Sequence, residues 1–401
     1  VSVKTGRALG EERGMYNLKV VIIGAGIGGL TAAIAMEQAG YRVEVYDRVQ
    51  QLRPVGAGIS LWSNGVKVLN RLGLGDQLAT IGGSMNTMEY RSHRDQSLSY
   101  IDLQPLFEQV GQRPYPVARA DLQAILLKAC GPDRLQLGMT CVAIDQDAHS
   151  ATAIFANGHR ATGDLVIVAD GARSTLRNQI LEQPVERRYA GYVNWNGLVP
   201  ATADLCPRDR WVIYVGDSKR ASMMPVGDDR FYFFFGAPMV TGTQVSPGNL
   251  RQELAQLFQG WPLAVERLIQ RLDPGTTNRL DISDLDPLES WVKGRIALLG
   301  DAAHASTPTL GQGGCQALED VEVLSRYLLT TNIGVADALQ RYQQARQDRT
   351  AQLVLKARKR AATIYGHDPV ITQQWYEDLS QEPPAAVIKA LATTILAGPL
   401  G

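Results

Sequence analysis

Cysteine is scarce in this 401-residue chain, which holds four: Cys130, Cys141, Cys206 and Cys315. They are scattered, with no CxxC pair, so neither the ligand spacing of a zinc site nor a disulfide framework is present. That usage fits a reducing cytoplasm. A surplus of one charge is also missing. Forty basic residues balance forty acidic ones, which removes the electrostatic signature of a nucleic-acid or anionic-membrane binder. No apolar run approaches the roughly 18 residues that span a bilayer. The start, VSVKTGRALGEERG (1–14), is charged and lacks the apolar centre of a secretory signal. It reads as a disordered extension ahead of Met15. No internal repeat or low-complexity segment interrupts the chain.

Hydrophobic residues make up 45% of the sequence, an ordinary share for a globular protein. Single cores stop growing near about 250–300 residues, so two domains are expected rather than one. Residues 19–47 read KVVIIGAGIGGLTAAIAMEQAGYRVEVYD. The run 20–23 is apolar and β-branched, as a parallel strand buried on both faces would be. Gly24, Gly26 and Gly29 follow in GxGxxG spacing, then a helix carrying Leu30, Ile34 and Met36, then a second strand at 42–46. The three glycines suit a tight turn, a close approach of backbone to pyrophosphate and a close helix–strand packing. The helix N-terminus offers free amides to phosphate. Asp47 ends the second strand, where a carboxylate suits a ribose hydroxyl pair. A solvated Asp47 beside a tightly packed helix would look the same, and the motif alone leaves NAD and FAD both open.

Further strands are expected at 151–155, 165–168, 192–199, 211–215, 221–225 and 230–235, with helices over 249–272 and 316–362 and a helical tail over 369–398. FYFFF (231–235) carries aromatics on both faces, so one face must cover something other than water. Successive strands without helices between them suggest an antiparallel sheet. The fold class is therefore α/β: a discontinuous Rossmann-like domain with an inserted antiparallel β-sheet domain and a helical C-terminal region. The dinucleotide domain would comprise 15–85, 113–185 and 279–340; the inserted domain 86–112 and 186–278; the C-terminal helices 341–401.

Residues 294–320, GRIALLGDAAHASTPTLGQGGCQALED, leave an apolar strand and spend an aspartate, a proline and several glycines before the next helix. With GAGIGG (24–29) and ADGARS (169–174), the stretch GDAAHASTPTLGQGG (300–314) completes three ordered motifs. Together they resemble the group A flavoprotein monooxygenases of the para-hydroxybenzoate hydroxylase class, over nearly all of 20–355. The resemblance implies FAD as cofactor, with NADH or NADPH as transient electron donor and O2 as co-substrate. It implies cofactor contacts at Gly24, Gly26, Gly28, Gly29, Asp47, Arg48, Ser60, Arg119, Cys141, Asp170, Asp301, Gly311, Gln312, Gly313, Gly314 and Cys315. Asp301 would take the ribityl hydroxyls. The glycine turn would present helix amides to the N1–C2 edge of the flavin. Pro308 resembles the proline beside the flavin face where oxygen adds, forming a C4a-hydroperoxide. His304 has no adjacent nucleophile and reads as a structural residue.

The middle of the chain is similar to a narrower group. RRYAGYVNWNGLV (187–199), GDSKRASMMPVGDDRFYFFF (216–235), LDPGTTNR (272–279), QWYEDL (374–379) and TILAGPLG (394–401) resemble the FAD-dependent urate hydroxylases. That likeness implies urate as substrate, hydroxylated at C5, with contacts from Asn194, Arg220 and Tyr232. Arg220, Tyr232 and Pro308 would then be the catalytic positions. Urate is a planar anion edged with carbonyl and N–H groups, which an arginine fork, an amide and a phenol can match. An aromatic acid such as salicylate would satisfy the same arginine. A flavin reductase, or a lipid-escort protein that has lost its flavin, would share parts of the fold. Neither NADH against NADPH nor the oligomeric state is readable from the sequence.

Overall fold

The computed structural model describes residues 18–52, 57–243, 247–330 and 332–401. The extension expected at 1–14 lies outside them. In chain order the first strands are β1 (Lys19–Ile23), β2 (Arg42–Tyr46), β3 (Gly58–Leu61), β4 (Thr87–Ser92), β5 (Ser97–Asp102) and β6 (Tyr115–Ala118). Next come β7 (Leu135–Gln136), β8 (Cys141–Gln146), β9 (Ala151–Phe155), β10 (Arg160–Gly163), β11 (Leu165–Val168) and β12 (Arg188–Pro200). The last are β13 (Arg210–Gly216), β14 (Lys219–Val226), β15 (Arg230–Pro238), β16 (Asn278–Asp284), β17 (Val292–Lys293) and β18 (Ile296–Leu298).

One sheet is six-stranded, ordered β17-β18-β11-β1-β2-β7, and all its pairings are parallel except that of β17 with β18. Val20, Val21, Ile22 and the whole of Leu165–Val168 are fully buried. Helices lie on the sheet, so its strands read as continuous apolar runs rather than alternating ones. From β1 the chain runs through the helix Ile27–Gln38 to β2 on one side, while β11 flanks β1 on the other. That reversal opens a crevice at the carboxyl ends of the strands.

The second large sheet has seven strands, ordered β16-β12-β15-β14-β13-β4-β5. Its strands alternate. Phe231, Phe233 and Phe235 are buried in a core with Leu254 and Val265 from the helices Leu250–Leu257 and Leu263–Arg271 and with Phe258, which caps the first of them. Tyr232 and Phe234 point to the opposite face, over the crevice. The aromatic strand thus covers a core on one side and a cavity on the other, as FYFFF demanded.

Three expectations need correction. The second sheet is mixed rather than wholly antiparallel, because β4 runs parallel to β13. The hairpin β4–β5 comes from a distant point of the chain, so no tight turn forces its direction against β13. Residues 279–284 were expected with the dinucleotide unit, yet β16 pairs with β12 in the seven-stranded sheet. The boundary at 340/341 falls inside one 30-residue helix, Val335–Ile364. After it, the helices Pro369–Gln381 and Pro384–Leu396 fold back against β5. No helix among the described residues is long and apolar enough to cross a membrane.

Candidate active site

Three motifs far apart in sequence leave the six-stranded sheet side by side. Ile23 is the register partner of Val168, and Val168 that of Leu298. The glycine loop, the Asp170-Gly171 turn and Gly300-Asp301 therefore start from neighbouring strand ends. The glycines divide their work. A side chain at Gly24 would collide with the Ala169 carbonyl, and one at Gly29 with the carbonyl of Gly24. A Cβ at Gly26 would meet nothing within 4 Å. Two glycines let backbones touch; the middle one leaves room for a ligand. Asp47 turns back on the loop, accepting from the Ala25 amide at 2.7 Å.

Arg177 ties the second motif to the third, donating to the carbonyl of Ala172 at 3.2 Å and that of Ala302 at 2.8 Å. Burial raises the Asp170 carboxyl above its usual range, with Ser174 and the Arg177 charge opposing it. Its Oδ1 is buried and has no partner. Asp301 opens the short helix Asp301–His304, exposed toward the crevice, and its carboxylate has no hydrogen-bond or ion-pair partner among the described residues.

The helix Gly313–Leu328 begins without a side-chain cap. Gln312, which precedes it, turns its amide oxygen inward to accept from Asn64 at 3.0 Å and Gln316 at 3.1 Å. The amides of Gly313 and Gly314 are left facing the cavity with the positive end of a 16-residue helix behind them. A buried ionic cluster holds this turn from the rear. Arg346 pairs with Glu319 at 2.6 Å and Asp320 at 2.8 Å, and Arg349 with Glu319 at 2.7 Å. Asp320 also accepts from the Gly300 amide at 2.9 Å and contacts His304 Nε2 at 2.6 Å. His304 is thus a buried structural residue, edge-on to Trp291.

A cavity of about 530 Å³ joins these turns to the seven-stranded sheet. Among the expected positions, Gly26, Gly28, Ser60, Arg119, Asp301, Pro308 and residues 311–314 line it, as do Asn194, Arg220 and Tyr232. Gly24, Gly29, Asp47, Arg48, Cys141, Asp170 and Cys315 do not. Cys141 is buried, its thiol donating to the Ala143 carbonyl at 3.4 Å and pushed up to about 11 by burial. Cys315 lies behind Ser60 and against Gly65, pushed up to about 12 by burial. Both thiols are packing groups in this arrangement. Arg119 starts the helix Arg119–Cys130 and is exposed, with its charge near Tyr232.

Arg220 is the electrostatic anomaly. It is 4% exposed, its Nε is buried without a partner, and no carboxylate pairs with it among the described residues. Its guanidinium lies 5.1 Å from the centre of the Phe234 ring. Asn194 accepts from Asn196 at 2.9 Å and stands two strands from Arg220, with Gly236 between them. A buried cation without an anion is costly unless a ligand supplies one.

Several cavity residues were not singled out by the sequence: Trp62, Tyr192, Trp211, Tyr365 and Trp375. Tyr365 ends a helix, and the alternation of β15 could have shown Phe234 beside Tyr232. The C-terminal tail roofs the cavity, with Trp375, Leu379, Val387 and Leu391 lining it.

The features of a flavin dinucleotide site are now together: an open glycine loop, a free carboxylate and an uncapped helix N-terminus. A family model described as "FAD binding domain" matches residues 17–357. The chain belongs to this FAD-binding family. Among curated relatives, it is 49% identical to a FAD-dependent urate hydroxylase of Mycolicibacterium vanbaalenii over 96% of its length and 98% of that protein. It is 46% identical to one from Klebsiella pneumoniae subsp. pneumoniae, over 96% of this chain and all of that one. The crystal structure of Klebsiella pneumoniae HpxO complexed with FAD and uric acid superposes with a TM-score of 0.93 at 45% identity, covering 96% of this chain and 98% of that one. The FAD-binding fold thus spans the α/β sheet, the mixed sheet and the first part of the long helix. FAD is the cofactor that these residues fit.

Proposed function

We propose that this protein hydroxylates urate at C5 to 5-hydroxyisourate, consuming one O2 and one NADH or NADPH and releasing one water. The observation that carries the reading is Arg220, a buried guanidinium without a carboxylate, opening on the same cavity as the glycine turn. Relatives named for urate hydroxylation, 46–49% identical over nearly the whole chain, support it.

Bound FAD supplies the redox chemistry, accepting hydride from the nicotinamide and activating dioxygen for transfer of one oxygen atom. The chain's residues bind, orient and keep out water. The amides of Gly313 and Gly314 offer positive charge to an electron-rich ring edge. Asp301, free in the cavity wall, would accept from the sugar-alcohol hydroxyls. The Gly26 loop and the N-terminus of Ile27–Gln38 would hold the pyrophosphate, and Asp47, which braces the loop through the Ala25 amide, would serve the ribose. Arg119 lines the cavity and would reach the cofactor from the next helix, while Arg48 and Asp170 would act from outside the cavity lining. Arg220 neutralises urate through a charged fork, and Asn194 offers amide donor and acceptor. Tyr232, pushed up to about 12 by burial, stays a protonated donor at neutral pH. Pro308 lines the cavity beside the glycine turn. Urate already carries negative charge, so the oxygen transfer needs no covalent nucleophile from the protein. Four buried, unpaired cysteines suit a cytoplasmic enzyme.

The test is NADH and NADPH oxidation by purified, yellow protein, with and without urate, set against salicylate and hydroxybenzoates. Urate alone should stimulate strongly, with label from heavy oxygen in the product. Stimulation by salicylate but not urate would discard the substrate assignment. Urate turnover without oxygen incorporation would discard the monooxygenase.

A further inference from the structure

The row formed by Asn194, Gly236 and Arg220 has a gap at its centre, and Tyr365 occupies it. Gly236 on β15 pairs with Asn194 on β12 and with Arg220 on β14. Directly opposed residues project to the same face, so two polar side chains flank a bare α-carbon. A Cβ at Gly236 would collide with the hydroxyl of Tyr365. Tyr365 stands at the C-cap of the long helix Val335–Ile364 and lines the same cavity. Its ring stacks on Tyr192 with centroids 3.7 Å apart and planes 15° from parallel. That stack fixes the direction of the phenol. Burial pushes the hydroxyl up to about 12, with the Arg220 charge beside it pulling the other way. An oxygen facing a guanidinium accepts from it and leaves its proton to be donated elsewhere.

The width of the row matters. Adjacent strands lie about 4.7–4.9 Å apart, so β12 and β14 hold Asn194 and Arg220 on backbones roughly 9–10 Å apart. A carboxylate on a single ring would engage one end of such a row. A fused two-ring molecule with carbonyls on both rings can engage an amide, a phenol and a guanidinium together.

We propose that Tyr365 is a specificity-determining residue, whose hydroxyl donates a hydrogen bond to one carbonyl oxygen of urate between the contacts of Asn194 and Arg220. The proposal rests on the urate reading of the site. It makes Gly236 part of the specificity, since only glycine leaves the phenol its place.

Tyr365→Phe keeps the ring and the stack on Tyr192 and removes only the hydroxyl. The affinity of the FAD-loaded protein for urate is read from perturbation of the flavin spectrum. The same titration is run with xanthine, 6,8-dihydroxypurine and 2,8-dihydroxypurine, which lack the C8, C2 and C6 oxygens in turn. The expected result is about tenfold weaker urate binding by Tyr365→Phe, unchanged FAD content, and no penalty for the one analogue lacking the contacted oxygen. Gly236→Ala, which displaces the phenol with Asn194 and Arg220 intact, should weaken urate binding at least as much. Equal urate affinity in Tyr365→Phe and wild type would overturn the proposal, as would an equal penalty across urate and all three analogues. A wild-type protein that shows no urate titration at all would fail the substrate reading itself, a separate readout.

Discussion

Ile23 and Val168 face each other at the carboxyl ends of two parallel strands, β1 and β11. The contact places the glycine loop against the backbone of Ala169, close enough that Gly24 tolerates no side chain. With Leu298 as the next partner across, the register of three strands alone brings the three motifs to one crevice.

The glycines of the first loop should separate by phenotype. Gly26 has a φ of −75°, which any residue adopts, and open space before it. Gly26→Ala is expected to leave apoprotein stability unchanged and to weaken FAD binding more than tenfold, measured by flavin fluorescence. Gly29→Ala should instead destabilise the apoprotein by about 2 kcal/mol or more through its clash with the Gly24 carbonyl, seen in urea unfolding.

Neighbouring aromatics of β15 should behave oppositely. Phe233 is fully buried in the core, so Phe233→Ala is expected to cost about 3–5 kcal/mol. Phe234 lines the cavity under the Arg220 guanidinium. Phe234→Ala should cost within about 1 kcal/mol of stability and raise the KM for urate.

Arg220 is held for a ligand at the expense of the fold. Arg220→Gln should lower kcat/KM for urate by about 2–4 kcal/mol, a factor of roughly 30 to 1,000, with FAD content normal. Arg220→Met should raise the thermal stability of the urate-free protein by about 1–2 kcal/mol and abolish any stabilisation by added urate. A lower melting temperature in Arg220→Met would contradict the view that this charge lacks a counter-ion.

The ionic cluster behind the glycine turn sets an acid limit. Burial works to raise the Asp320 carboxyl, but the charges of His304 and Arg346 prevail and hold it at about 2. Its ordinary value is near 3.9, so the folded state binds the proton less readily than the unfolded chain. The contribution, roughly 2–3 kcal/mol, is therefore full above pH ~4 and is lost as pH falls through about 2. Asp320→Asn should flatten that part of the stability-against-pH curve. Arg346→Met, which leaves Glu319 and Asp320 with fewer partners, should cost about 3–5 kcal/mol at neutral pH and loosen FAD.

The parallel strands were legible because burial on both faces demands continuous apolar runs, and 20–23 and 165–168 are such runs. The glycine loop was legible because its constraint is local: a turn, a helix start and a strand within thirty residues. Local signals of that kind misplaced the boundaries at 279 and 340. Nothing in β16 itself says which sheet it joins, and a long helix carries no mark where one region hands over to the next.

The sequence by itself determined the central apolar strands, the aromatic strands and the glycine loop, since each follows from backbone conformation and side-chain chemistry over short stretches, while the groups that could meet a flavin were named through a family resemblance. Only the tertiary structure decided which of those groups share a cavity. It left Cys141 and Cys315 as buried packing groups, left Arg220 without a counter-ion, and set the hydroxyl of Tyr365 over Gly236. Those relations depend on strand register and on where a distant helix ends. Such distances in space have no counterpart in the spacing of residues along the chain.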